Sequence, residues 1–451
     1  MDKTFTYIES NKDRYLQELK EFLSFASVSK HSQRKQDTRN CALWLKEHLT
    51  KLGMKTQLLE TDNHPIVKAE LAGQSAKRLM VYGHYDVQPA EPLELWETPP
   101  FEATFKDGFI IARGATDDKG QLFCHVKAVE ALLATQGSLP CSLLFLIEGE
   151  EEGGGDGLKQ YVQKAKSELG CEAIIVSDGS MYGENTPAIC YGLRGIVSLE
   201  IIIHGPKQDL HSGTFGGAVA NPALVLSRIL AKCMDESGRI TIPGIYDQVR
   251  QVEPWEKDNL KKLNFDDTRF KQQIGIKETF GEPYFSTPER TWARPTFEVN
   301  GIYGGYAGEG GKTIIPSYAG AKITLRLVPD MQAETVCKLV GDYLRSLVPP
   351  TVTLEMRGPS GSNPMIVDVD QPIVKAGMEA LKAGFGKDPV FIREGGSIPV
   401  IKTMWENLHV PVLLMGLGCD SDGAHAPNER FAIDSFIKGI KSSAALLGRY
   451  K

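Results

Sequence analysis

The chain has 451 residues, 41% of them hydrophobic and 24% charged, and a formal net charge of −6. That length exceeds one ordinary hydrophobic core, so two domains are expected. The acidic balance, with no Lys/Arg cluster to override it, argues against nucleic acid or an anionic membrane surface as a partner.

The first residues, Met1–Asp13, carry no apolar stretch of the kind a secretory signal needs. No apolar run approaches the roughly 18 residues of a membrane helix. The eight cysteines are scattered without CxxC spacing, and several, such as Cys124 and Cys190, sit in apolar runs. Free buried thiols in a reducing cytoplasm are therefore expected, rather than disulfides or zinc knuckles.

Residues 14–52 show helical periodicity, from Tyr15 and Leu16 to Leu49 and Leu52, with Gly53 as a C-terminal stop. Beyond them short apolar runs alternate with helical spacing. Leu79–Tyr82, Ser142–Ile147, Ala173–Val176 and Val410–Met415 read as strands; Leu122–Leu133 and Leu158–Lys166 read as helices. That alternation predicts an α/β domain on a mostly parallel sheet covered on both faces.

Each of these strands hands the chain to a residue of ligand type. His84 comes after the first, the Glu150-Glu151-Glu152 cluster after the second, Asp178 after the third, and His425 after the last within a Gly-rich loop. Asp117-Asp118 precedes the helix at 122–133. Ligands of open α/β sheets bind beyond the carboxyl ends of the strands. Taken singly these residues have ordinary readings, since an acidic residue before a helix is usually a cap and three adjacent glutamates usually form a solvated loop. Together they offer two imidazoles, separated aspartates and a glutamate pair. That is enough for a site holding two divalent cations, one bridging carboxylate and a spare base.

After Gly192-Leu-Arg-Gly195 the texture changes to strict alternation over 196–204, the pattern of a sheet covered on one side. A helix at 222–233, strands near 296–300 and 319–328, a helix at 333–347 and a strand at 352–356 complete an α+β unit of ferredoxin-like type. Residues 245–281 read as a polar insertion within it. The expected division is a catalytic domain of residues 1–191 and 393–451, interrupted by a lid domain of residues 192–392.

Gly83-His84-Tyr-Asp86, Arg113-Gly-Ala-Thr-Asp117-Asp118-Lys-Gly120, Glu148-Gly-Glu-Glu151-Glu152, Ser177-Asp178, Asp209-Leu-His211-Ser-Gly213 and Gly423-Ala-His425 stand in this order along nearly the whole chain. The set resembles the M20 family of dinuclear-zinc metallopeptidases, and within it the cytosolic non-specific dipeptidase and carnosinase branch. The resemblance implies that His84, Asp117 and Asp178 hold one metal ion, and Asp117, Glu152 and His425 the other. Zinc is the implied ion, with manganese or cobalt as alternatives. Glu151 would be the general base and Asp86 the support of His84, with a cis peptide bond after Asp117. His211 would stabilise the oxyanion across a homodimer formed through the lid domain. Thr313, Arg326, Gly396 and Ser397 would grip the substrate carboxylate, with His211 and His425 also bordering the substrate. The implied activity is hydrolysis of dipeptides or other small amide substrates. The nearest alternatives are N-acyl-amino-acid deacylation and glutamate carboxypeptidase activity. Glu150 makes the acidic cluster denser than is usual in this family; it would either raise the Glu151 pKa by repulsion or point to solvent.

Overall fold

The computed structural model describes residues 1–395 and 399–450. The described residues divide into two compact units: residues 1–191, 367–392 and 399–450 form the first, and residues 192–366 and 393–395 the second.

The first unit is built on a sheet whose four central strands are parallel. They run in the spatial order Cys141–Glu148, Ser75–His84, Ala173–Val176 and Val412–Leu414. Their apolar runs, Leu79–Tyr82 within the second strand among them, are buried on both faces, as a parallel sheet under helices requires. Antiparallel strands Ile66–Leu71 and Lys55–Leu59 extend one side of the sheet. Because the central strands are parallel and in register (His84 opposite Glu148, Tyr82 opposite Val176, Leu414 opposite Val176), their carboxyl ends reach one common edge.

The helix Lys119–Gln136 is buried from Lys119 through Val129 and ends at Gly137, whose φ of +78° is the left-handed stop that glycine adopts without strain. Its His125 is fully buried, with its ring nitrogens 2.8 Å from the Ser177 and Ser443 hydroxyls. Burial holds this imidazole at a pKa of about 4, hence neutral. Among the described residues no helix is long and apolar enough to cross a membrane.

Two expectations need correction. The helical stretch at 14–52 is two helices, Lys12–Leu23 and Lys35–Lys51, with a 3-10 turn before the second. Between them Val28 bridges to Val87 and the Ser27 hydroxyl bonds the Tyr85 carbonyl at 2.7 Å, so this segment buttresses the loop after His84. The second boundary is also displaced. Residues 367–392 belong to the first unit, because the helix Pro372–Phe385 packs along the C-terminal helix Ile433–Leu447. The approach is close: a Cβ on Gly384 would stand 2.0 Å from the Ser442 hydroxyl, and one on Gly377 2.7 Å from Leu413.

The second unit is a four-stranded antiparallel sheet in the order Thr296–Gly304, Tyr318–Leu327, Gly195–His204, Thr353–Ser362. Helices Pro222–Ala231 and Ala333–Ser346 cover one face. The chain order strand–helix–strand–strand–helix–strand with this spatial order is the ferredoxin-like arrangement. Val197, Leu199, Ile201 and Ile203 alternate into its core with Ile323, Leu325 and Leu327, and the opposite face is polar. The stretch at 245–281 carries two short helices, Pro254–Lys262 and Asp267–Ile274, between core elements.

Candidate metal centre

The first unit gathers its imidazoles and carboxylates at the common edge of the parallel strands. The His84 imidazole Nε2 lies 3.1 Å from Asp117 Oδ1 and 3.7 Å from Asp178 Oδ2. The His425 Nε2 lies 2.9 Å from Asp117 Oδ2 and 3.1 Å from Glu152 Oε1. His84, Asp117 and Asp178 thus form one group with ligand atoms within 4.8 Å of one another, and Asp117, Glu152 and His425 form a second. Asp117 belongs to both and turns a different oxygen to each. The Asp117–Asp118 peptide bond is cis, as the resemblance implies. His425 has φ +63°, a left-handed conformation uncommon for a non-glycine residue and concentrated at functional positions.

Asp86 ties two of these strand ends together. Its backbone carbonyl is 3.0 Å from His84 Nδ1, with its carboxylate at 3.5 Å. The same carboxylate accepts the Glu152 N–H at 3.0 Å and the Glu151 N–H at 3.3 Å. Asp86 therefore orients an imidazole and the glutamate loop together, a role that an alternating-strand argument sees only in part.

The site is strongly acidic. Burial works against charge at Asp117, yet hydrogen bonds from His425 and His84 hold its carboxyl below the usual range. Asp178 and Asp118 are pushed well up, chiefly by burial and further by neighbouring carboxylates. The Asp117 and Glu152 carboxylates raise His425 to about 10. Carboxylates outnumber the cationic groups around them, and a divalent cation in each group would balance that charge; the N/O donor set suits zinc, manganese or cobalt. The residues present therefore fit the implied metals.

Glu151 is a ligand of neither group. Burial first, then the Glu152, Asp86 and Asp117 charges, raise its carboxyl to about 7, against the lowering effect of His84. That is the range a general base needs at neutral pH. Glu150 takes neither course expected of it. It is buried with its carboxylate on the 61–64 loop, accepting from the Thr61 hydroxyl (2.5 Å) and the His64 N–H (3.0 Å). Gly155 and Gly157 make room for it, since a Cβ at either would come within 1.8 or 2.8 Å of its oxygens.

His211, Thr313 and Arg326 belong to the second unit. His211 ends the short strand Leu210–His211, paired antiparallel with Ile314–Ile315. Its Nδ1 accepts the Gly213 N–H at 3.0 Å, which leaves Nε2 carrying the proton of the neutral ring. Thr313 is exposed beside it, its carbonyl accepting the Ser212 N–H at 3.0 Å. Arg326 lies on the polar face of the ferredoxin-like sheet, opposite Ile196 and Thr296. Gly396 and Ser397 lie outside the described residues.

Glu429 has no place among the residues expected from the sequence. It is fully buried. One oxygen accepts the Thr116 and Asp117 N–H groups at 2.9 and 3.0 Å; the other accepts the Gly114 N–H at 2.9 Å and the Arg113 guanidinium at 2.7 Å. Four donors from one loop converge on one carboxylate and set the backbone that carries Asp117. Only its spacing of four from His425 hints at it, and a lone glutamate in a loop has no pattern to read.

Fold and site together define a metal-dependent hydrolase. The family model described as Peptidase family M20/M25/M40 matches residues 80–449. The Cys-Gly metallodipeptidase dug1 of Schizosaccharomyces pombe is 33% identical over 461 aligned positions, covering 98% of this chain and 96% of that protein. The human Beta-Ala-His dipeptidase is 32% identical, covering 99% and 92%. Among solved structures, human carnosine dipeptidase 1 matches with a TM-score of 0.82 at 31% identity, covering 99% of this chain and 98% of that one. The M20 family metallo-carboxypeptidase Sso-CP2 from Sulfolobus solfataricus matches with a TM-score of 0.84 at 33% identity, covering 96% and 98%. The chain belongs to Peptidase family M20/M25/M40, in its metallodipeptidase branch.

The Glu429 arrangement yields a test. Glu429→Gln leaves the buried Arg113 without its anion, an expected loss of about 3 kcal/mol, and loosens the backbone of Asp117. Thermal unfolding should show the destabilisation, and direct metal-binding titration should show affinity weakened about tenfold. Unchanged metal affinity would remove Glu429 from the support of the centre.

Proposed function

We propose that the protein cleaves dipeptides at a centre of two divalent ions, zinc being the expected ion, with Glu151 as the general base. The observation that carries this reading is the Asp117 carboxylate shared between two imidazole–carboxylate groups, with a non-ligand glutamate of raised pKa beside them. Bound there, the ions would supply an acidified water and polarise the scissile carbonyl. Glu151 takes the proton of that water and later delivers it to the leaving amine. His84, Asp178 and Glu152 stand after the ends of parallel strands, His84 and Glu152 being further fixed by Asp86, and His425 reaches the centre from the C-terminal loop. His211 presents Nε2–H to the developing oxyanion. Arg326, Thr313, Gly396 and Ser397 hold the free carboxylate of the substrate, which favours dipeptides over longer chains.

We assign the second unit the roles of lid and dimerisation surface. Thr296–Gly304 is an edge strand bearing exposed Val299 and Ile302, and Leu224 stands exposed on the helix Pro222–Ala231. An open apolar edge of this kind favours pairing with a second copy, and His211 would then serve the partner's site. The eight cysteines are all free thiols, five of them buried, which supports a reducing cytoplasmic setting.

The likeness to a metallo-carboxypeptidase favours one rival, carboxypeptidase action on acyl-glutamates by the same chemistry. Parallel assays of dipeptides and acyl-glutamates separate the two; cleavage of the acyl-glutamates alone would move the substrate and keep the centre.

Glu151→Gln should retain its metal and lose at least about a thousandfold in kcat, measured on Ala-Gly beside a metal analysis. Retained turnover would end the general-base assignment. Ile302→Glu should yield a monomer by light scattering, with activity falling in step because His211 is no longer supplied. A fully active monomer would place the oxyanion donor within one chain.

A further inference from the structure

Beside the polar face of the ferredoxin-like sheet stands a second arginine with no part in the catalytic cycle proposed for this chain. Arg194 precedes the strand Gly195–His204 and stands two positions before Ile196, and Ile196 lies directly opposite Arg326 on one side and Ser362 on the other. Directly opposed residues of an antiparallel pair share a face. Arg326 and Ser362 therefore share one end of one sheet face, and Arg194, in the link between the strands Ala188–Leu193 and Gly195–His204, stands near enough to feel the Arg326 charge.

Three observations mark this cluster as incomplete in the free protein. The Arg194 Nε and the Ser362 hydroxyl are both buried without a hydrogen-bond partner. Arg194 is also anchored from the backbone side: its N–H donates to the Glu394 carbonyl at 3.2 Å, and a Cβ on Gly395 would stand 2.8 Å from its Nη2. The guanidinium thus lies against bare glycine backbone, where any side chain at 395 would displace it. Burial first, and then the Arg326 charge, hold Arg194 down to about 10, an unusual value for a guanidinium, with Glu298 opposing only in part. Two cations near each other, one with an orphaned buried donor, are costly unless an anion joins them.

We propose that Arg194, with Arg326 and the Ser362 hydroxyl, forms a single carboxylate-binding subsite, and that Arg194 is a substrate-binding residue setting the requirement for a free C-terminal carboxylate. This rests on the dipeptidase reading. A guanidinium presents parallel donors that match the two oxygens of a carboxylate, and two guanidiniums sharing one carboxylate relieve their mutual repulsion as they bind it. An amide at the same position leaves the orphaned donors poorly paired and both charges uncompensated, so neutral C-termini are rejected by default rather than by steric exclusion.

The test uses the full-length, metal-loaded enzyme and compares Arg194→Ala and Arg194→Lys with the parent. KM and kcat are measured on Ala-Gly, and competitive inhibition is measured with glycine and with glycinamide. The proposal expects Arg194→Ala to raise KM about ten- to a hundredfold with kcat changed less than about threefold, and to erase the preference for glycine over glycinamide. Arg194→Lys, which keeps the charge and loses the fork, should fall between. Metal content and thermal midpoint measured beside these report folding, and Arg194→Lys carries the test if the alanine variant is unstable. Unchanged KM and an unchanged glycine preference in a folded variant would overturn the subsite. An equal loss of glycine and glycinamide binding would overturn it as well. If the parent enzyme cleaves no dipeptide at all, the dipeptidase reading fails, and the anion subsite is then judged by the glycine competition on whichever amide the enzyme does cleave.

Discussion

The constraint on which the first unit turns is the Asp117 carboxylate, half-buried and facing an imidazole through each of its oxygens. Placing one carboxylate between two imidazole–carboxylate groups demands that a strand end, a helix start and a distant C-terminal loop all arrive within a few ångströms. The parallel sheet supplies the first of these, because strands in register share an edge. The buried helix Lys119–Gln136 supplies the second. Glu429 supplies the third from the C-terminal side, clasping the backbone from Gly114 to Asp117. Asp86 then couples His84 to the glutamate loop, so that the general base and one ligand group share an anchor.

This crowding of acid is inseparable from the chemistry. Asp117, Asp118, Asp178, Glu151 and Glu152 lie within reach of one another, and burial strengthens every repulsion among them. The site relieves it by dividing labour. Glu150 is turned away onto the 61–64 loop, Asp118 receives the His84 backbone N–H, and the Asp86 carboxylate is occupied by backbone donors. Divalent cations would neutralise the charge that remains, and Glu151, which belongs to neither ligand group, keeps a carboxyl raised by its burial.

Much of this could be read in the chain itself, and the reasons are specific. Apolar runs such as Ala173–Val176 are too short and too uniform for anything but buried parallel strands, and a ligand-type residue after each is a pattern that chance rarely produces. The alternation at 196–204 announces a sheet with one open face, which the second unit has. The residues that escape a sequence pattern work through long-range contact. Glu429 and Arg113 meet across more than three hundred positions, and no local pattern encodes such a pair. Glu150 looks like part of a repelling triad because sequence adjacency hides the direction of a side chain. The boundary at 392 is displaced because the helix Pro372–Phe385 has an amphipathic pattern that fits either unit, and only its glycines at 377 and 384 pressed against Leu413 and Ser442 decide the matter.

The most direct test of the account is to count metal ions per chain in the parent protein and in Asp117→Asn, with Ala-Gly hydrolysis measured on the same samples. A shared carboxylate predicts two ions per chain and activity in the parent, and loss of both ions together with activity in the variant. An Asp117→Asn protein that keeps two ions and its turnover would contradict it, and would mean that the two groups are independent.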